Sequence, residues 1–160
     1  MGERELPPSA QRVREALLTL GLETTIVYLE RAARTSAEAA AAVGCRVDQI
    51  AKSLVFRLGT SGRPLLVIAS GANRVDEARV AGLVGEPLTK ADAEFVRAHT
   101  GFAIGGVAPV GHPLRVDTLI DEHLMAWEQI WAAAGHPHTV FPLPPRELVR
   151  ITGGRVVAVA

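Results

Sequence analysis

Apolar positions along the chain change period several times, and each change marks an element. Val13, Ala16, Leu17 and Leu20 recur at helical spacing, with Ser9 as the expected N-cap behind Pro7 and Pro8 and Gly21 as the stop. The β-branched and aromatic run TTIVYL (24–29) predicts a strand. In TSAEAAAAVG (35–44), Thr35 and Glu38 have capping-box spacing and Gly44 ends the helix. The apolar runs KSLVFRLG and PLLVIASG flank TSGR and predict a β-hairpin.

Two amphipathic helices follow. RVDEARVAGLVG (74–85) ends at Gly85, and KADAEFVRAH (90–99) carries acids in its first turn with Thr89 as the expected N-cap. LRVDTLID (114–121) predicts a strand. EHLMAWEQIWAAAG (122–135) fits two periods: Leu124, Trp127 and Trp131 suit a helix, whereas Trp127, Gln129 and Trp131 alternate as in a strand. HTVFPL is a strand, PPRELVRIT a short helix with proline in its first turn, and RVVAVA a closing strand. The chain has no repeat, linker or low-complexity tract and lacks a regular βαβ rhythm. One domain spanning 1–160 is expected, α+β around a mixed, mostly antiparallel sheet.

Composition narrows the function classes. Seventeen basic and 17 acidic side chains give zero formal net charge, so no global field draws in nucleic acid or an anionic membrane. Any nucleic-acid contact must then be a local patch, for which Arg31, Arg34, Arg46, Arg57 and Arg74 are available. One cysteine, Cys45, excludes an intrachain disulfide and a multi-cysteine zinc site. The charged N-terminus MGERELPPSAQ has no leader-like apolar core, and no apolar run reaches the ~18 residues of a membrane span. A cytoplasmic protein with no membrane association is the expectation.

Lysine is rare: Lys52 and Lys90 are the only two. Lys52 opens an otherwise apolar strand, where it either snorkels to water or finds a partner of functional weight. The stretch TGFAIGGVAPVGH (100–112) interleaves four glycines with Phe102, Ile104, Val107 and Val110. Glycine there serves either close backbone packing in a bent segment or close approach of backbone N–H and C=O groups to a ligand. It lacks the spacing of a dinucleotide-binding fingerprint and the G-K-[ST] of a phosphate-binding loop. His136 and His138 would face the same way on extended backbone, but His99, His112 and His123 supply no diagnostic metal spacing. Of the pair, His138 is the better candidate on a strand, and His136 reads as a turn residue. Cys45 reads as a small buried hydrophobe, and no serine sits in a nucleophile elbow. Arg74, beside Asn73 and Asp76 at a strand-to-helix junction, either belongs to a plain turn or contacts an anion.

Four segments occur in a recognisable order: TSAEAAAAVGCRVDQIAKSLVF, LLVIASGANRVD, TGFAIGGVAPVGH and HTVFPLPPRELVRIT. Together they closely resemble the YbaK/EbsC-like family of aminoacyl-tRNA deacylases, relatives of the editing domain inserted in bacterial prolyl-tRNA synthetases. The resemblance runs from about Thr25 to the C-terminus. It implies a compact, almost barrel-like mixed sheet surrounded by helices, with a strand in WEQIWAAAG. It also implies that Lys52 is the signature catalytic residue and that Gly105, Gly106, Val107, Ala108 and Pro109 form a G-x-x-x-P loop lining the aminoacyl pocket. The polar residue that the resemblance implies on a late strand is matched by His138; Tyr28, Arg74 and Ser53, the last at a position that varies between subfamilies, complete the expected substrate-binding set.

The activity so implied is deacylation of a mischarged tRNA at its 3′-terminal adenosine. Cys-, Ala- or Ser-charged tRNA, chiefly of the proline acceptor, is the expected substrate, and prolyl-tRNA synthetase a potential partner. No metal or cofactor is expected; backbone donors of Gly105 and Gly106 would meet the developing oxyanion, and water or the substrate's own groups would attack. The alternative is a non-catalytic module of the same fold that binds aminoacyl-tRNA or a small molecule.

Overall fold

The strand PLLVIAS is apolar at every position except its ends, which suits a strand covered on both faces. The computed structural model describes residues 5–160 and places this run at the centre of an eight-stranded mixed sheet. The expected absence of a leader falls in part on residues 1–4, outside the described residues.

The elements in chain order are helix α1 (Pro8–Thr19), strand β1 (Val27–Tyr28), helix α2 (Ser36–Val43), a 3-10 turn (Val47–Gln49) and the hairpin β2 (Ile50–Leu58) and β3 (Pro64–Ser70). Helix α3 (Glu77–Val84), strand β4 (Leu88–Lys90), helix α4 (Ala93–Thr100) and strand β5 (Asp117–Asp121) follow. A second 3-10 turn (Glu122–Ala126), strands β6 (Ile130–Ala133) and β7 (Thr139–Leu143), helix α5 (Pro145–Thr152) and strand β8 (Arg155–Val157) complete the chain. The strand order is β1-β7-β6-β2-β3-β5-β8, with β4 beside β2. β1 and β8 end that order, so the sheet stays open rather than closing into a barrel. Four pairings are antiparallel and three parallel, the latter being β2–β6, β3–β5 and β5–β8.

Alternation along β3 divides the core. Leu66 and Ile68 face a large cluster that includes Val13 and Leu17 of α1, Val96 of α4, Leu148 of α5 and Phe102, Val107 and Val110 of the glycine-rich loop. Leu65, Val67 and Ala69 face a second cluster with Val80 of α3 and Val159. A third, smaller cluster joins Ala39 and Ala40 of α2 to Ile50.

Most expected boundaries hold, and the exceptions have local causes. Thr35 caps α2 by accepting from the Glu38 N–H at 3.1 Å, and Gly44 ends that helix in the left-handed conformation. Pro7, not Ser9, occupies the N-cap of α1, because the fixed φ of Pro8 suits a first helical position. Of TTIVYL only Val27 and Tyr28 find a sheet partner, in Val140 and Thr139. Thr89 does not cap α4: it pairs with Arg57 in β4 and donates to the Arg57 carbonyl, while Asp92 caps the helix by accepting from Phe95. The ambiguous segment 122–135 divides, a 3-10 turn carrying Leu124 and a strand carrying Trp131.

The glycine-rich loop is bare because two segments of main chain touch. A Cβ on Gly106 would lie 3.1 Å from the backbone of His136, and one on Gly135 only 2.7 Å from the Ser9 carbonyl and 2.9 Å from the Phe102 ring. Phe102, Val107, Ala108 and Val110 are buried and fix the loop to the core. His112 anchors its end, donating from Nε2 to the Ala108 carbonyl at 2.8 Å. Burial holds the His112 pKa below the usual 6.5, and the nearby Arg12 charge adds to the effect.

The unfolded chain takes up the His112 proton more readily than the fold does, so this stability is complete above the unfolded value near 6.5 and is lost as pH falls through the lower folded value. The Tm of the wild type should drop between about pH 7.5 and about pH 5.5, and His112→Gln should flatten that drop. Identical slopes in the two proteins would contradict this role for His112.

Candidate functional site: a gap at the edge of β2

Strand β2 has a complete partner on one edge only. β3 pairs with it from Ala51 to Arg57. On the other edge β6 pairs through Ile50 and Ala51, and β4 from Phe56 to Leu58. Lys52, Ser53, Leu54 and Val55 therefore lie in an interruption of the sheet. The Leu58 N–H donates to the Arg63 carbonyl, and the Ile50 carbonyl accepts from Gly71, so the even-numbered backbone groups point to the β3 side. By alternation, the N–H and C=O of Ser53 face the gap.

A cavity of about 570 Å³ opens there. Its walls come from the start of α2, from β2 and β6, from Ile104, Gly105 and Val107 of the loop, and from His136. Side chains alternate along β2, so Lys52 shares the α2 face with Ile50, whereas Ser53 shares the main-core face with Ala51 and Val55. Both line the cavity because it opens at the strand edge.

Lys52 is half-buried and donates from Nζ to the Asn73 carbonyl at 2.7 Å. One of its three ammonium protons is thereby committed. Among the described residues, Ser53 Oγ is the buried side-chain polar atom without a hydrogen-bond partner. An unpaired buried hydroxyl costs free energy, and a ligand group that pairs with it recovers that cost.

Gly105 is exposed in the cavity wall with φ +91°, a left-handed conformation that side chains resist. Beside it Ile104 is 57% exposed, an apolar side chain at the cavity wall. The Gly106 N–H is committed to the Ala103 carbonyl at 3.0 Å, which corrects the expectation that both glycine amides are available as donors. Gly106 and Pro109 are buried outside the cavity wall, whereas Val107 is buried and contributes to it.

The two histidines of the β6–β7 turn differ in their access to the cavity. His136 lines the cavity, and His138 does not. Both lie in the turn between β6 and β7, since β7 begins only at Thr139. The Nδ1 of His136 accepts from the His138 N–H at 3.1 Å, and the His138 ring contacts the Leu29 carbonyl at 2.8 Å. Burial, with the second imidazole nearby, lowers the His136 pKa, which favours the neutral ring. Tyr28 stacks on His138 with centroids 5.0 Å apart and sits outside the cavity wall, as does the exposed Arg74. Burial pushes the Cys45 thiol pKa up, consistent with its packing beside the α2 cluster. Trp131 and His136 are not legible as site residues because the pairing of β6 with β2 brings them to the gap, and Ile104 arrives there through the packing of the glycine-rich loop against the β6–β7 turn.

The unpaired hydroxyl has a measurable consequence. Ser53→Ala should raise the stability of the ligand-free protein by about 1 kcal/mol, since it removes a buried group with an unmet hydrogen bond. The same substitution should weaken whatever the cavity binds. Denaturant unfolding checks the first effect, and a loss of stability would contradict the geometry.

Comparison with known proteins agrees with this architecture. Residues 30–151 match the aminoacyl-tRNA editing domain family. A solved structure of a candidate trans-editing enzyme for prolyl-tRNA synthetase superposes with a TM-score of 0.92 at 46% identity, covering 97% of this chain and 98% of that one. The uncharacterized protein YwhH of Bacillus subtilis (strain 168) is 27% identical over 148 residues, covering 92% of this chain and 94% of YwhH. The proline–tRNA ligase of Limosilactobacillus fermentum is 35% identical over 96 residues, which are 58% of this chain but 17% of that protein. With the match spanning most of the chain, the protein belongs to the aminoacyl-tRNA editing domain family.

Proposed function

We propose that this protein hydrolyses the ester joining a wrong amino acid to the 3′-terminal adenosine of a tRNA, acting in trans on tRNA released by prolyl-tRNA synthetase. The whole chain acts as one editing module, without metal or cofactor, on tRNA-Pro charged with Cys, Ala or Ser. The observation that carries the reading is the meeting of Lys52, the unpaired Ser53 hydroxyl and Gly105 at one interruption of the sheet edge.

The chemistry follows from what each group can do there. Lys52 keeps two ammonium protons beyond the one held by Asn73, and these pair with the ester or the adenosine ribose. Gly105 lines the cavity, and its N–H donates to the oxygen on which charge develops. Ser53 pairs with a polar group of the aminoacyl moiety. Water adds to the carbonyl carbon, the bond to the ribose oxygen breaks, and the proton from water passes to that oxygen, releasing free amino acid. The apolar walls supplied by Ile104, Val107 and Trp131 sieve by size, a discrimination worth only ~1–3 kcal/mol per methylene, which is what makes a second, hydrolytic sieve useful to a synthetase.

The test is deacylation of tRNA-Pro charged separately with Cys, Ala, Ser, Thr and Pro, with wild type and Lys52→Ala assayed side by side. One mischarged species should turn over, and Lys52→Ala should lower its rate by about 10²-fold or more. Full activity of Lys52→Ala would remove the lysine from the mechanism. No turnover of any species would leave a binding module of the same fold as the better reading.

A further inference from the structure

Lys52 does not hold its own position. The carbonyl that accepts from its ammonium belongs to Asn73, in the loop leaving β3, and a short loop on a protein surface is an imprecise anchor unless something fixes it. That loop is fixed from below by a carboxylate. Asp121, at the end of β5, is 1% exposed. Its Oδ2 accepts from the Ser70 N–H at 2.9 Å and from Asn73 Nδ2 at 2.8 Å, and its Oδ1 accepts from the His123 N–H at 3.0 Å. The same Asn73 amide contacts Nδ1 of His123, which employs its second proton. Asn73 also closes the turn through its own N–H, donating to the Ser70 carbonyl at 2.9 Å. The Ser70 hydroxyl donates to the Asp48 carbonyl at 2.9 Å, tying the loop to the turn that precedes β2.

We infer that Asp121 and Asn73 are positioning residues for Lys52, a relay in which the buried carboxylate clamps the Asn73 side chain so that the Asn73 main-chain carbonyl holds the ammonium in the cavity. Neither residue lines the cavity itself. The arrangement accounts for two otherwise unexplained features: the sole asparagine of the chain, and a carboxylate buried beneath a strand end. Asparagine supplies two amide protons at this spot, one for a carboxylate and one for an imidazole. Aspartate in its place would face Asp121 with like charge, and alanine would keep the carbonyl but cut the tether.

This inference rests on the proposed role of Lys52 for its effect on turnover, but its geometry can be read without turnover. Lys52 and Lys90 are the only lysines, and Lys90 is exposed, so competitive acetylation with acetic anhydride followed by peptide mass spectrometry measures Lys52 against an internal standard. In Asn73→Ala and in Asp121→Asn, the Lys52-to-Lys90 labelling ratio should rise by about tenfold, the equivalent of one hydrogen bond to a charged group. The double variant should label no faster than the faster single variant, since both substitutions cut one tether. Asn73→Ala leaves the core intact and serves if Asp121→Asn fails to fold.

An unchanged ratio in folded Asn73→Ala overturns the relay, as does additive labelling in the double variant. On the editing substrate, Asn73→Ala should lower kcat by roughly ten- to a hundredfold with KM within about twofold, the split expected of misplacement rather than lost binding. A raised labelling ratio combined with full activity of Lys52→Ala would sustain the relay while removing the catalytic role of the lysine.

Discussion

Everything at the candidate site depends on β2 having one continuous partner and two discontinuous ones. Backbone N–H and C=O groups demand hydrogen bonds, and a buried strand ordinarily meets that demand on both edges. Here β6 diverges after Ala51 and β4 arrives only at Phe56, so a short length of main chain faces a cavity instead of a strand. The opening lets residues from opposite faces of one strand reach the same space. A lysine and a serine that are neighbours in sequence thereby become neighbours in a site.

The cost of such a gap is borne by the elements around it. β3 is buried on both faces and gives β2 an unbroken ladder on its other side. The glycine-rich loop closes the gap from above, held by Phe102, Val107 and Val110 in the core and by direct backbone contact between Gly106 and the β6–β7 turn. Asp121 fixes the loop that in turn holds Lys52. Rigid scaffold thus surrounds a small unsatisfied region, the arrangement by which a fold keeps polar groups ready for a ligand.

Local signals in the sequence carried well where they were self-contained. The Thr35 and Glu38 cap, the Gly44 and Gly85 stops and the β2–β3 hairpin depend on residues within a few positions of one another, and each is present. The three parallel pairings depend on contacts between distant segments, and no periodicity reveals them. Other long-range contacts are equally hidden: Thr89 has the local pattern of a cap but pairs with Arg57 in a distant strand, and His136 rather than His138 reaches the cavity wall through the turn between β6 and β7. Lys52 stood out because lysine is rare, and Val107 and Gly105 because glycine and apolar residues alternate there. Asp121 gave only a faint signal, an acid ending an apolar strand, whose meaning emerges once Asn73 is seen beside it. The unpaired state of Ser53 Oγ is invisible in sequence altogether.

The central claim is that the interruption of β2 is where an aminoacyl-adenosine end binds. Its most direct test is a titration of the ¹⁵N-labelled protein with a non-hydrolysable 3′-alanylamino-3′-deoxyadenosine, followed by amide chemical shifts. Shifts centred on Ser53, Gly105 and Val107, abolished by filling the gap with Ser53→Leu, are the predicted result. Shifts confined to another surface, such as Arg63, Arg115 and Arg155 around β5 and β8, with none at Ser53 or Gly105, would contradict the account.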